Sequence, residues 1–293
     1  MKRARTLRVA LGLAAAVAAI SVPAAAEAAT VLKSINGVVS YGGEPGENND
    51  VKVTEVNGVI VFEEASVAIS PHPSCAALTP TKVACTAAGV DLIRVTVGDG
   101  VNKVVSSAPY KTMIDGAGGT SNEFKGGPVQ NLLLGGYNHD VLTGGAGPDE
   151  IQGDDGSDYI TGLGGADELI GGVGGDIFFS PSLDGADLMD GGADYDIADY
   201  SARTTSIGVS LDNVSNDGGH SEPPFLIPEN DDVRSSVENV KGGSGNDALE
   251  GSNAGNRLEG GAGSDLLAGR LGGTGSRAGQ ARTRSRTPAT AAR

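Results

Sequence analysis

Through the middle of the chain, single apolar side chains recur at every ninth position between glycine-rich polar stretches: Leu142, Ile151, Ile160, Leu169 and Phe178. Cut at Gly135, the stretch to Phe179 divides without a gap into GGYNHDVLT, GGAGPDEIQ, GDDGSDYIT, GLGGADELI and GGVGGDIFF. Each block begins with Gly, carries Asp at its sixth place and its apolar residue at its eighth. The sixth-place acids are Asp140, Asp149, Asp158, Asp167 and Asp176. Six turn residues followed by three strand residues is the physical reading of such a block. The side chain in the centre of the strand points inward and its neighbours outward, by the two-residue period. Two blocks then close one coil, and the apolar residues meet in a thin core between two short sheets. Gly at places one, two and four permits positive φ and close approach of neighbouring turns.

The register extends in both directions. Upstream, GGPVQNLLL from Gly126 and AGGTSNEFK from Ala117 place Asn131 and Asn122 where Asp is expected. An Asn carbonyl can ligate a cation but brings no charge, so these blocks predict weaker sites. After Phe179 the register slips by two residues, Ser180-Pro181, then resumes as SLDGADLMD and GGADYDIAD with Asp187 and Asp196. A second array, GGSGNDALE, GSNAGNRLE and GGAGSDLLA, begins at Gly242 and carries Asp247, Asn256 and Asp265.

Between the arrays lies an insertion, residues 200–241. It holds one alternating run, Ile207, Val209 and Leu211. Asn213 to Asp232 is rich in Gly, Pro, Asn and acids and predicts a protruding loop, with Val237 and Val240 returning the chain to the stack. Residues 29–116 alternate in a strand-like way without the nonapeptide. Val56-Asn57-Gly58-Val59 predicts a hairpin with a type I′ turn. This β-rich N-terminal unit would cover the open first coil, because a repeat stack exposes an edge at each end. Residues 117–199 and 242–269 form the two arrays. In 270–293 the pattern dissolves into an Arg-rich, acid-free segment that predicts a disordered basic tail. Its abrupt onset inside a repeat reads as a shift of frame.

The nonapeptide GGxGxDxUx resembles the RTX (hemolysin-type) calcium-binding repeat. The resemblance implies an all-β fold, a right-handed parallel β-roll, or β-solenoid. It also implies a Ca2+ ion between turns on the same side, so that repeats n and n+2 share it. Asp140 would then work with Asp158 and Asp176, and Asp149 with Asp167. Asp187, Asp196, Asp247 and Asp265 are the further metal ligands expected. Calcium prefers six to eight oxygen ligands, and glycine-rich turns leave carbonyls free beside these carboxylates. With so thin a core, the apo repeats are expected to unfold and to fold on binding calcium.

Composition agrees. Gly is 47 of 293 residues, aromatics are 4 % and Trp is absent, which does not suit a large globular core. The net charge is −16, which argues against nucleic acid as a partner. Residues 1–28 predict a secretory signal peptide: Lys2, Arg3, Arg5 and Arg8 precede an apolar run from Val9 to Val22 and an Ala26-Glu27-Ala28 cleavage site. Its apolar run is too short to span a bilayer. Export by the general secretory route and an extracellular location follow as expectations. Two cysteines in an exported chain predict a Cys75–Cys85 disulfide in a loop of the N-terminal unit. Neither HExxH nor GxSxG occurs, and His72, His139 and His220 lie far apart in sequence, so no enzyme is expected. The reading is a secreted calcium-binding protein with a structural or surface-associated role. Alternatives are an adhesin or partner-binding protein using residues 202–241, or the remnant of a larger RTX hydrolase or toxin.

Overall fold

A side chain buried at every eighth place requires the short strands to stack directly over one another. The computed structural model shows this arrangement. It describes residues 29–33, 36–219 and 229–269, together with the backbone of Thr274–Arg277 and Arg284–Arg286. The putting of residues 1–28 to signal-peptide use lies outside the described residues. The fold is all-β: successive strands alternate between a ten-stranded and a thirteen-stranded sheet, and a four-stranded sheet follows. Among the described residues no helix is long and apolar enough to cross a membrane.

Two columns of core residues run through the stack. In one, Tyr41, Val95, Ile114, Leu133, Ile151, Leu169 and Met189 are successive register partners. In the other, Val51, Val104, Phe124, Leu142, Ile160, Phe178 and Ala198 follow one another. All are at most 2 % exposed, so the expected inward residues do form the core. The step is eighteen residues within the array, as from Ile151 to Leu169. It becomes twenty from Leu169 to Met189 and from Phe178 to Ala198. Both twenty-residue steps span Ser180-Pro181, so the two extra residues lengthen one coil without shifting any inward residue outward.

The columns cross residue 116 unbroken. Most of the N-terminal unit is therefore solenoid already, built without the nonapeptide sequence. Its capping part is antiparallel: Ala29–Lys33 on Val38–Gly42, Val59–Glu64 on Asp50–Val56, then Lys82–Thr86 and Cys75–Thr79. These strands lie beyond the first coil in both sheets and cover its edge. Asn57 and Gly58 both have positive φ, 52° and 79°, as the type I′ hairpin requires. Cys75 and Cys85 are disulfide-bonded, but as directly paired residues of two antiparallel strands rather than within a loop.

Much of the described part of the insertion packs into the stack; residues 220–228, in the middle of the expected loop, lie outside the described residues. Val209 pairs with Leu249 and Val233 with Met189. Residues 217–219 run between these two strands, through an antiparallel Asp217–Asp231 bridge and hydrogen bonds linking Gly208 to Gly218 and Gly219. Asp217, Gly218, Gly219, Glu229 and Asp231 are buried, whereas residues 213–216 are exposed. Asp217 completes the join with its side chain, accepting the amides of Ser210 (2.6 Å) and Val233 (3.0 Å). Beyond Gly269, strands Thr274–Arg277 and Arg284–Arg286 pair in the same eighteen-residue step with Asn256–Glu259 and Leu266–Ala268. Strand thus occupies part of the segment expected to be a disordered tail; its remaining residues lie outside the described ones.

Candidate metal centre

Each sixth-place Asp lies two residues before an inward apolar side chain, so it also points into the coil, at the turn. Stacking then places it against the main chain of the preceding coil. The amide of Asp140 donates to Asp158 Oδ1 at 2.7 Å, and that of Asp158 to Asp176 Oδ1 at 2.8 Å. Asp176 continues to Asp196 Oδ1 at 2.8 Å. On the other side Asp149 donates to Asp167 Oδ1 at 2.8 Å, and Asp167 to Asp187 Oδ1 at 3.0 Å. In the second array the Asp247 amide donates to Asp265 Oδ1 at 3.0 Å. The structure therefore brings together Asp140, Asp158 and Asp176, and Asp149 and Asp167, and it adds Asp196 to the first ladder, Asp187 to the second and Asp247 with Asp265 as a shorter third.

One carboxylate oxygen serves the ladder; the other faces a different neighbourhood. Asp140, Asp158, Asp167, Asp176, Asp196 and Asp265 each bury an Oδ2 that no donor reaches. A Cβ added to Gly135 would lie 2.6 Å from Asp140 Oδ2 and 2.7 Å from the Gly153 carbonyl oxygen. Gly153 and Gly171 repeat this with Asp158 and the Gly171 carbonyl, and with Asp176 and the Gly191 carbonyl. First-place Gly is needed for this space, not for its backbone angle. Positive φ falls instead at the second and fourth places, for example Gly172 (117°) and Gly174 (125°).

Donor-free carboxylate oxygens converging with carbonyls make a site for a hard cation, and an all-oxygen shell suits Ca2+. Among the described residues no three His, Cys, Asp or Glu side chains cluster as metal ligands; a cation between the turns would draw on carbonyl oxygens as well as carboxylates. Asp140, Asp158, Asp167, Asp176, Asp196 and Asp265 fit this role best. Asp149 and Asp247 differ in that their Oδ2 atoms also accept an amide, from Gly145 (2.6 Å) and Gly243 (2.9 Å).

Burial raises these carboxyls, because it disfavours the charged form. It pushes Asp140, Asp167, Asp176 and Asp196 up to about 7. Asp158, Asp187 and Asp247 reach about 6. Backbone amide donors pull each of them partly back.

At Asn122 and Asn131 the side-chain amide itself takes up turn carbonyls. Asn122 Nδ2 donates to the Gly135 carbonyl at 3.0 Å, and Asn131 Nδ2 to those of Gly127 (3.1 Å) and Val129 (2.6 Å). The amide group occupies the carbonyls by itself, leaving no donor-free oxygen. Two further Asn residues, unmarked by the nonapeptide, lead into the first ladder. Asn49 Nδ2 donates to Asn102 Oδ1 at 3.0 Å, and Asn102 Nδ2 to Asn122 Oδ1 at 2.9 Å. The Asn122 amide then meets Asp140 Oδ1 at 2.6 Å.

Three acids were missed because the insertion breaks the count of nine. Asp231 Oδ1 accepts the Asp187 amide and Glu238 Oε2 the Asp196 amide, both at 3.0 Å; the third is Asp217. For Asp231 and Glu238 a signal was available: an acid two residues before a buried Val, here Val233 and Val240. Of the three histidines, His72 bonds to Ser74 at 2.9 Å and His139 to the Ser157 amide at 2.8 Å. His220 lies outside the described residues.

A family model described as the RTX calcium-binding nonapeptide repeat matches in four copies, over residues 116–151, 134–169, 143–178 and 241–273. The chain carries RTX calcium-binding repeats. The RTX matches overlap the Asp ladders on both sides of the insertion. No curated protein matches the chain. Calcium-binding RTX repeats in a β-solenoid fit a calcium-binding role.

Proposed function

We propose that this protein is a secreted, non-enzymatic calcium-binding protein whose RTX coils fold on extracellular calcium and then serve a structural or surface-associated role. The observation that carries the reading is the series of buried, donor-free Oδ2 atoms facing turn carbonyls. Several such carboxylates in one thin stack repel one another unless cations lie between them. Extracellular calcium modules work at Kd of roughly 10⁻⁴–10⁻³ M, so the transition would follow export. The insertion gives the adhesin reading little support, since fewer than a third of its described residues are exposed.

The test is far-UV circular dichroism of the chain in EGTA and after adding calcium, with titration calorimetry for stoichiometry. Strand signal should rise with calcium and heat should report several ions per chain. Equal strand signal in both conditions, without binding heat, would reject the reading.

A further inference from the structure

At the insertion the ladder continues, but its surroundings change. Asp231 takes the Asp187 amide as a sixth-place Asp would. Its Oδ2, the atom that is donor-free in Asp167 of the same ladder, accepts the Tyr200 hydroxyl at 3.0 Å. Glu229 and Asp184 lie beside it, and Glu229 Oε1 accepts the Asp184 amide at 3.0 Å. A Cβ on Gly218 would meet both Asp231 Oδ2 and Glu229 Oε2, so carboxylate oxygens crowd a glycine here as they do in the RTX coils.

Into this group runs Arg203, itself 3 % exposed. Its guanidinium forms two bonds with Glu229, the Nη2–Oε1 bond being 3.0 Å. It donates to the carbonyls of Ser180 (3.1 Å) and Gly218 (2.9 Å), and also to the Ser180 hydroxyl. Asp184 Oδ1, otherwise without a hydrogen-bond donor, lies 3.9 Å from Nη2, with the Asp184 side chain 8 % exposed. Tyr200 stacks beneath, its ring centroid 4.7 Å from Arg203 Cζ. Carboxylates and main-chain carbonyls thus surround one buried cation, the same donor chemistry as in the RTX turns. The guanidinium suits it, being permanently charged and planar with five donors.

We infer that Arg203 is a built-in substitute for a calcium ion, closing the ladder at the insertion whatever the calcium concentration. The described residues of the insertion, 200–219 and 229–241, then stay docked when the array beside them is stripped of metal. The inference rests on the calcium reading of the RTX coils, and the experiment separates the two. Hydrogen exchange is followed on the full chain in EGTA and in calcium, for the wild type and for Arg203→Met and Arg203→Lys. The amides to watch are Asp217, Asp231, Asp232 and Arg234, which bond across the insertion to Asp231, Asp217, Asp187 and Met189.

The wild type should protect these four amides in EGTA, while those of Asp140, Asp158 and Asp176 exchange until calcium is added. Arg203→Met, which leaves buried carboxylates uncompensated, should cut the protection of the four in EGTA by about 100-fold or more. Its calorimetric stoichiometry should rise by one ion, calcium entering the vacated shell. Arg203→Lys keeps the charge without the planar donors and should lose less. Unchanged protection in Arg203→Met, or wild-type protection of the four that appears only with calcium, overturns the inference. Equal protection of Asp140–Asp176 in both conditions would instead reject the calcium reading, while the four amides of Arg203→Met still decide the role of Arg203.

Discussion

Asp158→Asn should reverse the calcium response of its coil. Asp158 Oδ1 holds the Asp140 amide, and an Asn oxygen can keep that bond. Asp158 Oδ2 is buried, without a donor, and close to the Gly171 carbonyl. Asn131 displays the outcome, since its Nδ2 fills the carbonyls of its own turn. The magnitude follows from the ionisation of the native carboxyl. Burial pushes it up to about 6, from an ordinary Asp value of about 3.9. At 1.36 kcal/mol per decade, keeping it charged at pH 7 costs the folded apo coil about 3 kcal/mol. A group raised on folding favours the fold at low pH and loses that contribution as pH rises through its folded value. Asn removes the cost and adds a donor, so in EGTA at pH 7 the variant should hold more strand and resist urea better than wild type. In calcium it should bind fewer ions or bind them more weakly. Circular dichroism, urea melts in EGTA and calorimetry read these effects. An apo chain less stable than wild type, or undiminished calcium binding, would refute the reasoning.

Gly135→Ala should abolish one calcium site without backbone strain, because the added methyl enters the space between Asp140 Oδ2 and the Gly153 carbonyl; calorimetric stoichiometry checks it. The apo chain should hold most strand near pH 4 and lose it as pH rises through about 6–7, where the buried carboxyls ionise. Calcium affinity should run the opposite way and binding should release protons, seen as a buffer-dependent heat. Cys75→Ser with Cys85→Ser should lower the stability of the N-terminal cap by about 2–3 kcal/mol, the loop-closure figure for so short a loop, while leaving calcium stoichiometry unchanged.

The nine-residue period made the inward residues and the sixth-place acids legible before any coordinates, because one local rule builds every coil. Where a coil is built by another rule, the count of nine does not reach it. Tyr41, Val95 and Val104 join the same columns without Gly or Asp to mark them, since a parallel strand pair needs only inward apolar residues. Asp231 and Glu238 hold the ladder by their position before Val233 and Val240, invisible to a count of nine. Asn was legible as a departure, but its effect was not: whether an amide weakens a metal site or replaces the metal depends on which carbonyls its nitrogen can reach. The cross-strand setting of Cys85 likewise depends on its pairing with Ile60 of the neighbouring hairpin.

The ladder also has a polarity. Each carboxylate that faces the turn carbonyls has its other oxygen fixed by an amide of the coil before it, never of the coil after it. A finished coil therefore orients the ligand of the next, and the incoming coil cannot orient its predecessor in the same way. The series from Asn49 through Asn102 and Asn122 needs no ion, so it provides a starting template at the N-terminal end. Assembly should spread from there in the direction of synthesis, one ion-stabilised turn after another, like a zipper with a fixed first tooth. Removing the N-terminal unit should then slow folding of the whole array, whereas trimming the last coils should cost only the coils removed.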